Sequence, residues 1–187
     1  MKKICILLAI MLLFTQFIFS QQNAVDLLLN NRTTVGRNFT TGSIPKADME
    51  IIVQAGTRSP SARNSQAWYF TVVQNLNLGK QLIADMLEGN AIIVVSANGD
   101  GKTNTAQILD AALAVQSINL AAQALGYGTR IYTGPIDNLN TKFKADFGLP
   151  QGYSAVALVR VGKVQDGVDA LSTASPRKKQ EELVTYK

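Results

Sequence analysis

Residues 105–126 read TAQILDAALAVQSINLAAQALG, and this stretch frames the rest of the chain. Ile108, Ala111, Ala112, Val115, Ile118, Ala122 and Leu125 recur at helical spacing, and Gly126 stands where a glycine ends a helix. Ala114, Ala121 and Ala124 make much of the remaining circumference small and apolar. A helix this apolar is expected to be buried on most sides, in part against a second subunit.

Working outward, Ala91 to Ala97 is a continuous apolar run, the pattern of a strand covered on both faces. Tyr127 to Tyr132 and Ser154 to Val161 read as further strands, with a helix from Asn138 to Phe147 between them. Upstream, Ala24 to Asn30 reads as a short helix running into a polar loop. Pro45 opens a second helix to Gly56, and Trp68 to Val73 reads as a strand. Leu78 to Glu88 reads as a helix stopped by Gly89. Strands and helices mixed in one compact unit predict an α/β or α+β sandwich.

The first residues stand apart. Met1-Lys2-Lys3 is a basic start, Ile4 to Phe19 is almost unbroken apolar sequence, and Ser20 offers a small residue for cleavage. That length suits a secretory signal and is short for a membrane span. The expectation is a signal peptide over 1–20 and a single domain over 21–187, exported through a Sec-type route, with no membrane association after cleavage.

Composition excludes several chemistries. The chain has no histidine, and its one cysteine, Cys5, lies in the leader. Ser-His-Asp and Cys-His nucleophile schemes and zinc sites built on His or Cys are therefore absent. The 13 acidic residues are scattered without the spacing of a hard-cation loop, so no metal site is expected. The formal charge of +5, two units of it from Lys2 and Lys3, is too weak and too evenly spread for a nucleic-acid partner. An enzyme with this composition needs a cofactor to carry its chemistry.

Three segments carry binding potential. Arg32-Thr33-Thr34-Val35-Gly36-Arg37-Asn38-Phe39 brings two guanidinium groups and two hydroxyls into one loop, credible anion-binding chemistry. Pro60-Ser61-Ala62-Arg63-Asn64-Ser65-Gln66-Ala67-Trp68 offers Ser61, Asn64 and Gln66 just before a strand, suited to a heterocycle edge. In Gly128 to Pro135 a strand runs through Thr133 to Gly134, whose bare backbone can approach a ring closely. A fourth segment, Ser96 to Thr103, ends in Gly-Lys-Thr like a phosphate-binding P-loop but has Ser96 where the motif requires glycine.

The order Arg-x-Thr…Arg-x-Phe, then Pro-Ser-Ala-Arg-Asn-Ser-Gln-x-Trp, resembles the opening of the FMN-dependent nitroreductase family. The stretch from Asp110 to Gly128, Leu149-Pro150-x-Gly152-Tyr153, and the tail around Pro176-Arg177-Lys178-Lys179 are similar to that family's later segments. The resemblance implies a nitroreductase-like α+β fold, a three-layer α/β/α sandwich with a central mixed sheet and a long buried helix, and a homodimer with FMN between subunits. It implies that Arg32, Thr33, Thr34, Arg37 and Arg177 hold the phosphate. Pro60, Ser61, Ala62, Asn64 and Gln66 would line the flavin from the partner subunit, with Thr133 and Gly134 near the reactive N5 edge. No side chain is then catalytic. The implied activity is ping-pong hydride transfer from NAD(P)H or another reduced carrier to a nitroaromatic, quinone or similar acceptor. The alternatives are a flavin protein of other chemistry, reductive dehalogenation or flavin breakdown, and a P-loop-like nucleotide-binding protein. The chain departs from the family's pattern in the spacing of Arg37, in Ser175 and in Ala67 before Trp68.

Overall fold

The structure is a computed structural model that describes residues 24–30, 34, 36–166 and 178–187. The expected leader, Arg32, Thr33 and Arg177 lie outside the described residues. Helix α1 (residues 24–30) is followed by α2 (Lys46–Thr57), β1 (Trp68–Val73), α3 (Leu76–Lys80), β2 (Ala91–Asn98), α4 (Thr105–Ala124), β3 (Gly128–Tyr132), α5 (Ile136–Asn138) and β4 (Tyr153–Gly162).

The four strands form one sheet in the order β1-β2-β4-β3, with β2 and β4 at its centre. Every residue of β2 from Ala91 to Ala97 is buried, as its unbroken apolar run requires. Each of the three pairings is antiparallel, so among the described residues the sheet is not the mixed one expected. Strand composition reports burial, while direction is set by the connections, which the apolar pattern does not encode.

Two cores cover the two faces. On one, Met49 and Ile52 of α2 and Ala111, Val115, Ile118 and Ala122 of α4 pack on Ile93, Val95, Val159 and Val161. On the other, Ile83, Met86, Leu139 and Phe147 pack on Ile92, Val94 and Leu158. Helices thus lie on both sides of the sheet, giving the three expected layers. α2 and α4 cross closely at Gly56, where an added Cβ would lie 2.8 Å from Ile118.

α4 starts at Asn104, whose side chain accepts from the Gln107 N–H, and ends before Gly126, held at φ +83°. It is buried on one side only, because Leu109 and Leu113 are 59 % and 46 % exposed, so burial on most sides does not hold within one chain. Leu28 and Leu29 of α1 are likewise 60 % and 75 % exposed.

Two expected helices are broken. The segment predicted as Leu78 to Glu88 is helical only over Leu76–Lys80. Beyond it the Asp85 carbonyl accepts from Arg160 Nη2 at 3.1 Å instead of serving a helical ladder. The segment predicted as Asn138 to Phe147 widens after α5 into a π turn over Leu139–Phe143. There the Asn140 side chain bonds the backbone of Ala155 in both directions.

Candidate functional site

The loop entering β1 is held in a costly shape. Arg63, Asn64 and Gln66 all have left-handed backbones, at φ 55°, 54° and 48°. Each such residue costs on the order of 1 kcal/mol, least for asparagine. The loop keeps this shape because Asp110, buried in α4, accepts from the Ala62 N–H at 2.9 Å. Its other carboxylate oxygen accepts from Ser65 Oγ at 3.4 Å. Charge-assisted bonds of this kind contribute about 1.5–3 kcal/mol, enough to offset much of the strain. Inside the loop the Gln66 N–H donates to Ser61 Oγ at 3.0 Å and its side-chain amide donates to Asn64 Oδ1 at 3.2 Å. The structure therefore brings Ser61, Ala62, Asn64 and Gln66 together, with Pro60 exposed beside them.

The basic segment is tied to β3. Thr34 is buried; its N–H donates to the Thr129 carbonyl at 2.6 Å, and its hydroxyl oxygen accepts from the Thr129 N–H at 3.1 Å. Behind this link is a buried polar network. Gln123 Nε2 donates to Thr129 Oγ1 at 2.6 Å and to Asn119 Oδ1 at 3.0 Å, and Thr129 Oγ1 donates to Asn119. The Arg37 side chain is exposed, while its carbonyl accepts from Gln165 Nε2 at 2.9 Å. Phe39 is buried and bridges to Val164.

At the far end of β3, Thr133 and Gly134 are both exposed, and an added Cβ at Gly134 would meet nothing within 4 Å. Bare backbone at an open edge suits contact with a flat ring. These pieces lie at opposite edges of the sheet. The 60–66 loop enters the β1 edge, whereas Thr34, Thr133 and Gly134 lie along the β3 edge, three strand spacings or roughly 14 Å away. With hydroxyl and cation at one end of β3 and open backbone at the other, the donor set fits an elongated, flat, anionic molecule.

The P-loop-like segment is spent on itself. Asp100 accepts from the Lys102 and Thr103 N–H groups at 2.8 and 2.9 Å and from the Thr103 hydroxyl at 2.9 Å. The Thr103 amide, then that of Lys102, holds the Asp100 carboxyl below its usual range. Lys102 itself pairs with Asp137 at 3.0 Å. The amides and cation that would cradle a phosphate already face carboxylates. No cluster of potential metal ligands occurs among the described residues.

The sequence profile described as "Nitroreductase family" matches residues 29–98 and 84–163, most of the chain. The chain belongs to the nitroreductase family. A protein of Archaeoglobus fulgidus with the provisional name NADH dehydrogenase/NAD(P)H nitroreductase is 29% identical over 145 residues, covering 71% of this chain and 82% of its own. A nitroreductase from Bacteroides fragilis, solved with bound FMN, superposes with TM-score 0.70 at 17% identity, covering 88% of this chain and 98% of that one. Another from Desulfitobacterium hafniense, also with bound FMN, gives TM-score 0.68 at 22% identity, with coverages of 88% and 97%.

Within this nitroreductase fold, several residues escape a reading of the sequence alone. Asp110 is the one acidic residue inside a largely apolar helix, and that isolation is the signal that marks it. Asn119 and Gln123, one helical turn apart, are buried at the Thr34 link and would be found by the same criterion. Arg160, fully buried in β4, sits in a strand otherwise apolar from Ala155 to Val161.

Proposed function

We propose that this nitroreductase-family protein is an FMN-dependent oxidoreductase acting as a homodimer, with each flavin site assembled from both subunits. The observation that carries the reading is the strained 60–66 loop fastened to Asp110 at the sheet edge opposite Thr34, Thr133 and Gly134. In this reading a second copy brings its 60–66 loop to the β3-edge groups of the first and completes the site. FMN, when bound, supplies reversible hydride chemistry at its N5.

The residues of the chain bind and orient. Thr34 and Arg37, with Arg32, Thr33 and Arg177, are assigned to the phosphate. Pro60, Ser61, Ala62, Asn64 and Gln66 are assigned to the ring edge, and the backbone of Thr133 and Gly134 to the reactive edge. No histidine or cysteine is required for this chemistry, in keeping with a chain whose only cysteine is Cys5. The relatives' names support a reduced nicotinamide as donor, and ping-pong kinetics with a nitroaromatic or quinone acceptor are the expected pattern. The apolar leader of residues 4–19 supports export.

Purified protein should be yellow or become so with added FMN. It should scatter light as a dimer and oxidise a reduced nicotinamide when an acceptor is present. A colourless protein that takes up no FMN overturns the assignment.

A further inference from the structure

Arg130 on β3 and Arg160 on β4 stand directly opposite each other. Both guanidinium groups therefore leave the same face of the sheet, where like charges destabilise the pair. The protein answers this for Arg160 and not for Arg130. Arg160 is fully buried, and its Nε and Nη2 donate to Asn90 Oδ1 at 3.0 and 2.9 Å. Its Nη1 lies 3.3 Å from Asp85 Oδ1 in an ion pair, and its planar group sits 4.2 Å from the centre of the Phe39 ring. Arg130 is only half-buried and lies 5.1 Å from the centre of the Tyr132 ring. Among the described residues its guanidinium makes no hydrogen bond or ion pair, and Asp85, the carboxylate close to it, is paired with Arg160.

Gly36 brings this cation to the basic segment. A Cβ there would lie 3.0 Å from Arg130 Nη1 and 2.6 Å from Asp85 Oδ2, so the missing side chain lets the backbone settle against both groups. The same segment carries the exposed Arg37. Arg130 and Arg160 against the Asp85 carboxylate leave one positive charge in excess beside Gly36, and Arg37, next in the chain, adds an exposed one. A phosphate monoester carries about −1.5 to −2 charges near neutral pH and complements that excess.

We infer that Arg130 is a further phosphate-binding residue, a guanidinium held over Tyr132 that clamps the cofactor phosphate from β3. The assignment rests on the flavin reading above. The phosphate end is favoured over the ring end because the Arg130 guanidinium lies against Gly36, next in the chain to Arg37 and two residues from Thr34. The planar fork of arginine suits two phosphate oxygens at once.

The test uses apo-protein of the full chain and the variants Arg130→Gln and Arg130→Lys, titrated with FMN and with riboflavin by quenching of flavin fluorescence. Arg130→Gln should weaken FMN binding by roughly ten- to a hundredfold and leave riboflavin binding unchanged. Arg130→Lys keeps the charge without the fork and should fall between; it carries the test should Arg130→Gln fail to fold. Unchanged FMN affinity in both variants, or an equal loss for FMN and riboflavin, overturns the assignment of Arg130 alone. Failure of the wild-type protein to bind either flavin instead overturns the flavin reading itself.

Discussion

The buried carboxylate of Asp110 in the long helix accepts the backbone N–H of Ala62, 48 residues earlier in the chain. A helix side chain thereby holds three left-handed residues in the loop before β1. Asp110→Ala should cost about 1.5–3 kcal/mol, the value of a hydrogen bond to a charged group. For a domain of this size that lowers the melting temperature by several degrees. Asp110→Asn keeps an acceptor for Ala62 and should cost less. FMN affinity should fall in parallel, because a freed loop pays for its ordering on binding. Thermal melts and flavin titrations measure both effects, and wild-type values for Asp110→Ala would remove Asp110 from the loop's support.

Arg160 allows a comparison of two partners. Asn90 is buried and receives two of its N–H groups, whereas the Asp85 side chain is 59% exposed. An ion pair with a half-exposed carboxylate is worth about 0–1 kcal/mol. Stranding a buried guanidinium costs about 3 kcal/mol or more. Asn90→Ala should therefore destabilise the protein well beyond Asp85→Asn in urea unfolding. A larger loss for Asp85→Asn would show that the ion pair, not the amide, neutralises Arg160.

Much of this was open to a reading of the sequence, and the exceptions have causes. Trp68 to Val73 is legible to the residue because polar loops bound it on both sides. α4 is legible from its spacing, but its exposed side is not, since Leu109 and Leu113 are as apolar as the buried residues. Strand direction is hidden because an apolar run looks the same either way. The loop at Pro60 to Gln66 is visible as a motif, while its fastening to Asp110 is a contact across distant sequence. Arg130 is plain in the sequence, but its position opposite Arg160 depends on register, which only the folded sheet fixes.

Tyr127 donates its hydroxyl to Asp48, and burial first, then that bond and the charge of Asp48, push its pKa up from 10.0 to about 12. The folded-state value lies above the unfolded one, so the contribution is full below pH 10 and is lost as pH rises from 10 towards 12. Wild type should lose stability steeply across that window, and Tyr127→Phe, already lacking the bond, should lose less. Denaturant unfolding at several pH values, with tyrosinate absorbance followed alongside, measures both. Equal slopes in the two proteins would mean that Tyr127 titrates normally when folded.

The exposed side of α4 is expected to be a contact between subunits. Leu109 and Leu113, one helical turn apart, present an apolar stripe beside Ala112 that this chain leaves uncovered. Burying a leucine contributes about 1.5–3 kcal/mol, and two copies of the stripe meeting about a twofold axis would bury Leu109 and Leu113 of both copies. The double variant Leu109→Glu/Leu113→Glu places like charges against each other in that contact and should convert the proposed dimer to monomer by light scattering. Since both side chains already face solvent in the single chain, the monomer should keep its circular dichroism spectrum. It should also lose FMN, because half of each proposed site comes from the other subunit. A folded monomer that still binds FMN with wild-type affinity would place the whole site within one chain, and a persisting dimer would move the interface off α4.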